Sequence, residues 1–171
     1  REHESLFVVG GVLPEFSAVE ADVRRRVAAD RRATRIRDWI ESLKQRAENM
    51  LETMYDAPGI GLAAPQVGIL DRMLVVDVAE EGQPRQPHCL INPEIIWAAE
   101  ETSVYNEGCL SLPEQFAEVR RPAAVRVRYQ SPTGQEAEMQ ATGLLATCVQ
   151  HEMDHLNGVL FIDHVSRMKR D

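Results

Sequence analysis

Residues 142–158 read TGLLATCVQHEMDHLNG and predict a helix that carries metal-binding chemistry. A threonine that can cap a helix stands at the start, and an Asn-Gly pair that can stop one stands at the end. His151 and His155 are four residues apart, so they share one helix face and can reach the same metal ion. Glu152, beside the first imidazole, can move protons at that ion.

The third ligand decides which kind of metal site this helix can build. Metalloproteases with the same helix take a glutamate or a third histidine further along the chain. His164 follows the motif, but the glycine spacing of the longer protease motif is absent. Upstream, residues 107–111 (EGCLS) place Cys109 in a predicted tight loop, where Gly108 lets backbone approach closely.

Cys148 is the competing thiol, one turn before His151. It lies about 10 Å along the helix axis from His155, given a rise of about 1.5 Å per residue. With Leu144 it is better interpreted as a small apolar wall of a neighbouring pocket. The predicted ligands are therefore Cys109, His151 and His155, with a fourth position left for water.

The chain is acidic, with 19 basic against 27 acidic side chains and a net charge of −8. A broad nucleic-acid surface needs the opposite sign, so we expect no DNA partner. The exception is the stretch 24–37, which holds seven arginines. We interpret it as a solvated helix face balanced by Asp22, Asp30 and Asp38; contact with ribosomal RNA is the alternative.

The length of 171 residues and the apolar content of 44% predict one globular domain over residues 1–171. We expect neither a secretory signal nor a membrane partner, because no apolar run has the necessary length. The three cysteines suggest a reducing compartment, and Cys89 is interpreted as a core residue.

The predicted fold is α+β, with mixed or antiparallel strands packed around the central metal-binding HExxH helix and a long N-terminal helix. Apolar residues at spacings of three and four predict that first helix over residues 19–55. Strands are predicted at residues 73–78, 90–93, 94–99, 124–129 and 136–141, with a break at Pro93 and a turn at 131–134.

Three motifs together resemble the peptide deformylase family. They are residues 59–66 (GIGLAAPQ), 107–111 (EGCLS) and 151–155 (HEMDH), in the family's order, and the resemblance covers about residues 43–169. It implies one divalent metal ion, commonly Fe²⁺ in bacteria, with Zn²⁺, Ni²⁺ or Co²⁺ as alternatives. It also implies an enzyme that removes the formyl group from the initiator methionine of new polypeptides and releases formate.

The resemblance assigns roles to individual residues. Glu152 is expected to accept a proton from water and deliver it to the leaving amine, although it can also be a surface residue. The side-chain amide of Gln66 and the backbone N–H of Leu110 are the expected donors to the carbonyl oxygen; Gln66 satisfying loop backbone is the alternative. A separate hypothesis is that Glu107 pairs with Arg121 and fixes the ligand loop; contact with the substrate is the alternative.

The expected substrate is a formyl-methionyl nascent peptide. The segment 59–61 is expected to leave main-chain groups open, so that an extended peptide can add as a strand. An apolar slot beside the metal must then hold the methionine side chain, although ordinary core packing explains the same residues. The candidate substrate contacts are Gly59, Ile60, Gly61, Leu144, Thr147 and Cys148.

The first 42 residues are atypical for the family. A strand over residues 6–12 is expected, but residues 10–15 and the arginine-rich helix replace the family's usual turn, through divergence or a shifted coding sequence. The basic stretch 166–170 is shorter than the terminal helix of longer members, so at most a transient ribosome contact is expected. A bacterial-type cytoplasmic location is expected, with an organelle as the alternative.

Two other functions compete with this interpretation. An endopeptidase can use the same helix, although the Cys109 loop argues against it, and a comparison of formylated with unformylated peptides separates the two. A non-catalytic fold with a structural metal requires a closed site with four protein ligands. The motifs supply three.

Overall fold

The computed structural model describes residues 16–80 and 82–165. The predicted strand 6–12, the segment 10–15 and the basic stretch 166–170 lie outside these residues. Contacts divide the chain into two units, Arg1–Trp39 and Ile40–Asp171. Between residues 16 and 165, with residue 81 left aside, we find no helix with the length and apolar character needed to cross a bilayer.

The first unit consists, where described, of the initial part of helix α1 (Phe16–Asp56). Its side chains are almost all exposed. Three arginines of the basic stretch form ion pairs with acidic side chains one turn earlier on the helix. These pairs are Arg24–Glu20, Arg25–Asp22 and Arg26–Asp22. They agree with a solvated, internally balanced helix face.

The described part of the second unit contains seven strands and helix α2 (Gly143–Leu156). The strands are β1 (Gly61–Ala63), β2 (Met73–Val76), β3 (His88–Ala98), β4 (Thr102–Cys109), β5 (Leu112–Pro122), β6 (Ala124–Gln130) and β7 (Glu136–Thr142). Five of them form an antiparallel sheet in the order β1-β2-β3-β6-β7, and β4 pairs with β5 in a separate hairpin. The predicted α+β class, with antiparallel sheets and a C-terminal helix, is confirmed.

Helix α2 packs its apolar side chains on the five-stranded sheet. Ala146, Val149 and Met153, at spacings of three and four, join Leu74 and Val127 in one buried cluster. Nearly the whole helix is buried from residue 146 onward, including both histidines. The ligand-bearing face therefore projects from a rigid, packed element rather than from a mobile loop.

The opposite face of the sheet receives the end of α1. Leu43, Ala47, Met50 and Met54 pack against β1, β2 and β3 in a second buried cluster. Their spacing follows the helical period that predicted this part of α1. The first three strands are thus held from both sides.

Two local predictions differ from the structure. Thr142 occupies the N-cap position of α2, as predicted, but its side chain makes no capping hydrogen bond. Two short strands were predicted on either side of a break at Pro93, but they form one continuous strand, β3. Proline lacks an N–H donor, and it is accommodated where the register with β6 shifts beside Asn92, whose φ is 50°.

The hairpin of β4 and β5 was not predicted, and Cys109 was placed in a loop. Cys109 in fact ends β4 and pairs with Leu112, so that Leu110 and Ser111 form the turn. The group that packs closely on Gly108 is a side chain and not backbone as expected, because a Cβ there would lie 2.6 Å from Cε1 of Phe116.

Candidate metal centre and cleft

Three side chains from two elements meet at one point. Cys109 comes from the end of β4, and His151 and His155 come from α2. Their ligand atoms all lie within 4.8 Å of one another, and Cys109 Sγ is 3.2 Å from His155 Nε2. Within the described ranges this is the one group of three or more histidine, cysteine or acidic side chains arranged to hold a metal.

The chemistry of these donors fits a divalent transition metal. Burial opposes ionisation of Cys109, but hydrogen bonds with His151, His155 and the Ser111 N–H lower the pKa of its thiol to about 5. A thiolate is therefore present at neutral pH. Burial opposes the charge on His151, whereas Cys109 and Glu107 raise its pKa to about 10, so a cation that binds here replaces a proton.

A buried chain of charges orients the first imidazole. His151 Nδ1 lies 2.8 Å from Glu107 Oε2. Arg121 donates to both Glu107 oxygens, at 2.6 and 3.0 Å, and to Asp154 Oδ2 at 2.7 Å. His164 Nε2 lies 2.8 Å from the same oxygen of Asp154. The network joins the hairpin, α2 and the 3₁₀ turn Phe161–His164.

The Glu107–Arg121 contact matches the predicted pairing, whereas the part played by Asp154 and His164 was missed. Asp154 lies within the HEMDH motif, three residues after His151, and that position was the available hint. Its partner Arg121 is 33 residues away in sequence, so the pattern alone does not pair them.

Glu152 lies inside the protein and not on its surface, with 4% of its area exposed. Burial is the main cause that raises the pKa of its carboxyl to about 7, with His151 and His155 opposing. Its Oε2 makes no hydrogen bond with any described residue. A carboxyl group with a pKa near neutrality can both accept and release a proton.

Gln66 uses the two ends of its amide differently. Oε1 accepts the Ala63 N–H at 2.8 Å, so the expected loop contact does exist. Nε2 donates to Ser111 Oγ at 3.1 Å and lies 3.7 Å from Cys109 Sγ. The nitrogen therefore faces the metal ligands while the oxygen holds the loop.

A cleft of about 550 Å³ opens over these groups. Its lining includes every candidate substrate contact, Gly59, Ile60, Gly61, Leu144, Thr147 and Cys148, together with Gln66, Leu110 and Glu152. Tyr105 and Phe116 from the hairpin also line it and were not predicted.

Cys148 belongs to the wall of this cleft. Its Sγ lies 3.4 Å from the Ile60 carbonyl oxygen, and burial raises the pKa of the thiol well above its usual value. A neutral, hydrogen-bonded thiol is a poor metal ligand. Thr147 is equally buried, and its Oγ1 has no hydrogen-bond partner among the described residues.

The main chain of segment 59–61 is less open than expected. The Gly59 N–H donates to Met54 O, and the Ile60 carbonyl accepts the Asp77 N–H, each at 2.9 Å. Main-chain groups alternate sides in an antiparallel pair, so those of Gly61 point away from β2. Gly61 lines the cleft at the edge of the sheet, and it is the residue of this segment that can pair with another strand.

Comparisons with known proteins agree on one family. The family model described as polypeptide deformylase matches residues 21–171. A peptide deformylase from Mesorhizobium japonicum is 62% identical over 129 residues, which are 75% of this chain and 73% of that protein. One from Rhizobium meliloti (strain 1021) is 59% identical over 129 residues, 75% of this chain and 74% of that protein.

A solved structure shows the same fold. The crystal structure of a peptide deformylase from Thermotoga maritima aligns with a TM-score of 0.69 at 49% identity. The alignment covers 74% of this chain and 82% of that chain. Helix α2 and the antiparallel sheet therefore belong to an architecture that this family shares.

Proposed function

The chain belongs to the polypeptide deformylase family, and from that premise we propose how its cleft removes a formyl group. Members of the family are metal-dependent hydrolases that remove the N-formyl group of nascent polypeptides, and this chain is such an enzyme. The observation that carries the assignment of the site is the convergence of one thiolate and two imidazoles beside a buried carboxyl group.

Cys109, His151 and His155 would hold one divalent cation per chain. Iron(II) is the proposed metal in the cell, and Zn²⁺, Ni²⁺ and Co²⁺ suit the same sulfur and nitrogen donors. When bound, the cation supplies a Lewis acid that lowers the pKa of water and makes a nucleophile available near neutral pH. Glu107, held by Arg121, keeps His151 turned so that Nε2 is its free nitrogen.

Glu152 is the proposed acid–base group. Its carboxylate takes the proton of the attacking water and later gives it to the leaving nitrogen of the methionine. A pKa near 7 suits both steps, because neither protonation state is strongly favoured. Burial keeps bulk water away from the transferred proton.

Gln66 and Leu110 are the proposed donors to the formyl oxygen, which gathers negative charge as the water adds. Gln66 Nε2 already faces the ligand cluster, and Leu110 lies at the adjoining hairpin turn. Both residues line the cleft, so a formyl oxygen held there can accept hydrogen bonds from both.

The substrate peptide is proposed to pair with Gly61 of β1, the edge strand of the sheet among the described residues. The methionine side chain would then occupy the part of the cleft lined by Ile60, Leu144, Thr147 and Cys148.

We also propose that α2, which carries the HExxH motif, is the central element around which the strands pack. A cytoplasmic location and a transient ribosome contact follow from a substrate that is still being synthesised.

The test measures formate release and bound metal for the native chain and for Glu152→Gln. The native protein should release formate from formyl-methionyl peptides and leave unformylated peptides intact. Glu152→Gln should keep its metal and lose about 10²- to 10⁴-fold in rate. Glu138→Gln, at an exposed position on β7, is the matched control. Cleavage of an internal peptide bond, or a native rate in Glu152→Gln, would overturn the proposal.

A further inference from the structure

Ser111 touches the proposed reaction machinery without belonging to it. Its Oγ accepts a hydrogen bond from Gln66 Nε2 at 3.1 Å. Its own N–H points to Cys109 Sγ at 3.4 Å. It follows Leu110 directly in the two-residue turn between Cys109 and Leu112. One serine thus contacts a proposed oxyanion donor and a metal ligand, and it is the chain neighbour of the second donor.

The two proposed donors lie on separate segments. Gln66 is in the 3₁₀ turn Ala64–Val67 that follows β1, whereas Leu110 is at the tip of the β4–β5 hairpin. These two strands belong to different sheets, so strand pairing does not fix the distance between them. The Gln66–Ser111 hydrogen bond joins the two turns directly.

The Gln66 amide also needs to be held in one orientation. The terminal torsion of a glutamine has a broad and roughly two-fold preference, so the isolated side chain can present nitrogen or oxygen. The Ala63 N–H fixes Oε1, and Ser111 Oγ takes one of the two Nε2 hydrogens. The second hydrogen faces Cys109, on the side where a formyl oxygen would lie.

We propose that Ser111 is a positioning residue of this deformylase, which holds Gln66 Nε2 and the Leu110 N–H at a fixed separation. The inference rests on the proposed roles of Gln66 and Leu110. Ser111 is not part of the cleft lining, so it lies outside the expected reach of the substrate. It acts through the two donors. Its loss should therefore weaken stabilisation of the transition state, in which negative charge develops on the oxygen, more than it weakens binding of the peptide.

Kinetics of the metal-loaded protein test this role. Ser111→Ala should lower kcat about tenfold, less than the hundredfold or more that removal of an oxyanion donor costs. KM should change less than about twofold, and the bound metal should stay constant, because ligands and cleft are intact. Ser111→Thr, which keeps the hydroxyl, should recover most of the rate. Thr102→Ala removes a hydroxyl that Arg120 contacts at the other end of the same hairpin, and it should leave kcat unchanged.

A double-mutant cycle separates positioning from a general loss of structure. In a Gln66→Ala background, Ser111→Ala should have almost no further effect on kcat. If the fold-losses in kcat of the two single variants multiply in the double variant, or if Ser111→Ala changes KM alone, the proposal is overturned.

A spectroscopic readout is independent of turnover. In the zinc-loaded protein, the side-chain amide protons of Gln66, assigned by their loss in Gln66→Ala, should shift in Ser111→Ala and return in Ser111→Thr. Unchanged resonances would show that the hydrogen bond is absent in solution and would refute the inference. A native chain that releases no formate would instead refute the proposed function, and the resonances would still decide whether Ser111 holds Gln66.

Discussion

His151 Nδ1 lies 2.8 Å from Glu107 Oε2, and Glu107 is the carboxylate that Arg121 binds through both oxygens. Burial opposes the charge on Glu107, but the hydrogen bonds from His151 and Arg121 hold the pKa of its carboxyl below the usual value. An ionised carboxylate only accepts hydrogen bonds, so Nδ1 of His151 carries a proton. Nε2 is left as the nitrogen that can bind a metal.

Replacing Glu107 by glutamine should therefore weaken metal binding. Glutamine does not balance the buried Arg121 charge, and its amide can turn an N–H towards Nδ1. We expect affinity to fall about 10- to 100-fold, as measured by competition with a chromophoric chelator. Glu101→Gln, on the exposed connection before β4, should leave the affinity unchanged. An unaltered affinity in Glu107→Gln would show that the contact does not orient the ligand.

Gly61→Ala should damage both stability and activity. A Cβ at this position would meet Glu152 Oε1 and would lie 2.7 Å from Cys148 Sγ. The Glu152 carboxylate and the Cys148 thiol must then shift inside a packed, buried region, which should cost about 1–3 kcal/mol in the free energy of unfolding. We expect kcat/KM for formate release to fall about hundredfold, because the acid–base group moves.

A second substitution shows which contact matters in that variant. Adding Cys148→Ala to Gly61→Ala removes the contact between the new methyl group and the Cys148 sulfur. The contact between that methyl group and the Glu152 carboxylate stays. Urea unfolding should show partial recovery of stability, while formate release stays low. Full recovery of activity would mean that Glu152 is not displaced by the added methyl group.

The Tyr55–Asp77 hydrogen bond should give stability a defined pH dependence. Tyr55 donates to Asp77 Oδ2 at 2.6 Å. Burial and this contact raise the pKa of Tyr55 from 10.0 to about 12. Burial of Asp77 opposes its charge, but hydrogen bonds from Tyr55 and two backbone N–H groups lower the pKa of its carboxyl below 3.8.

Tyr55→Phe should cost about 1–2 kcal/mol at pH 7, measured by urea unfolding. The contribution of Tyr55 is complete below pH 10.0 and is lost as pH rises towards about 12, where the folded protein also ionises. The contribution of Asp77 is complete above pH 3.8 and is lost as pH falls through its lowered pKa. The stability difference between native and variant should therefore shrink at both extremes; a constant difference from pH 7 to 12 would contradict this linkage.

The sequence predicted best what local spacing determines. His151 and His155 share a face because of the helical period, and the buried side of α2 follows the same period. The family that three motifs indicated is confirmed by the family match over residues 21–171. The hairpin of β4 and β5 escaped prediction because about half of the residues of both strands are exposed and few apolar residues are buried. Alternation of apolar and polar residues, the usual sign of a strand, is weak there.

Contacts between distant residues account for most of the rest of the site. Ser111 and Gln66 are 45 residues apart, and Arg121 and Asp154 are 33 apart. Their polar side chains look like ordinary surface residues until the fold buries them or brings them together. Pairing them requires the relative placement of the hairpin and α2, which no local pattern contains.

Asp154→Ala should test whether this long-range network holds the ligand-bearing hairpin against α2. Arg121 has only 5% of its side chain exposed and bridges Glu107 on β4 to Asp154 on α2. Without Asp154, one end of a buried guanidinium loses its acceptor, which should cost about 2–3 kcal/mol of folding free energy. Cys109 is on β4 and the two histidines are on α2, and these two elements would be held together less firmly. Loss of metal to a chelator should therefore be faster. His164→Ala is the matched control, because it removes the other partner of Asp154. The His164 side chain is 36% exposed, so its loss should cost less than about 1 kcal/mol. If both variants lose metal at the native rate, the Arg121–Asp154 bridge stabilises the fold without fixing the distance between the thiolate and the imidazoles.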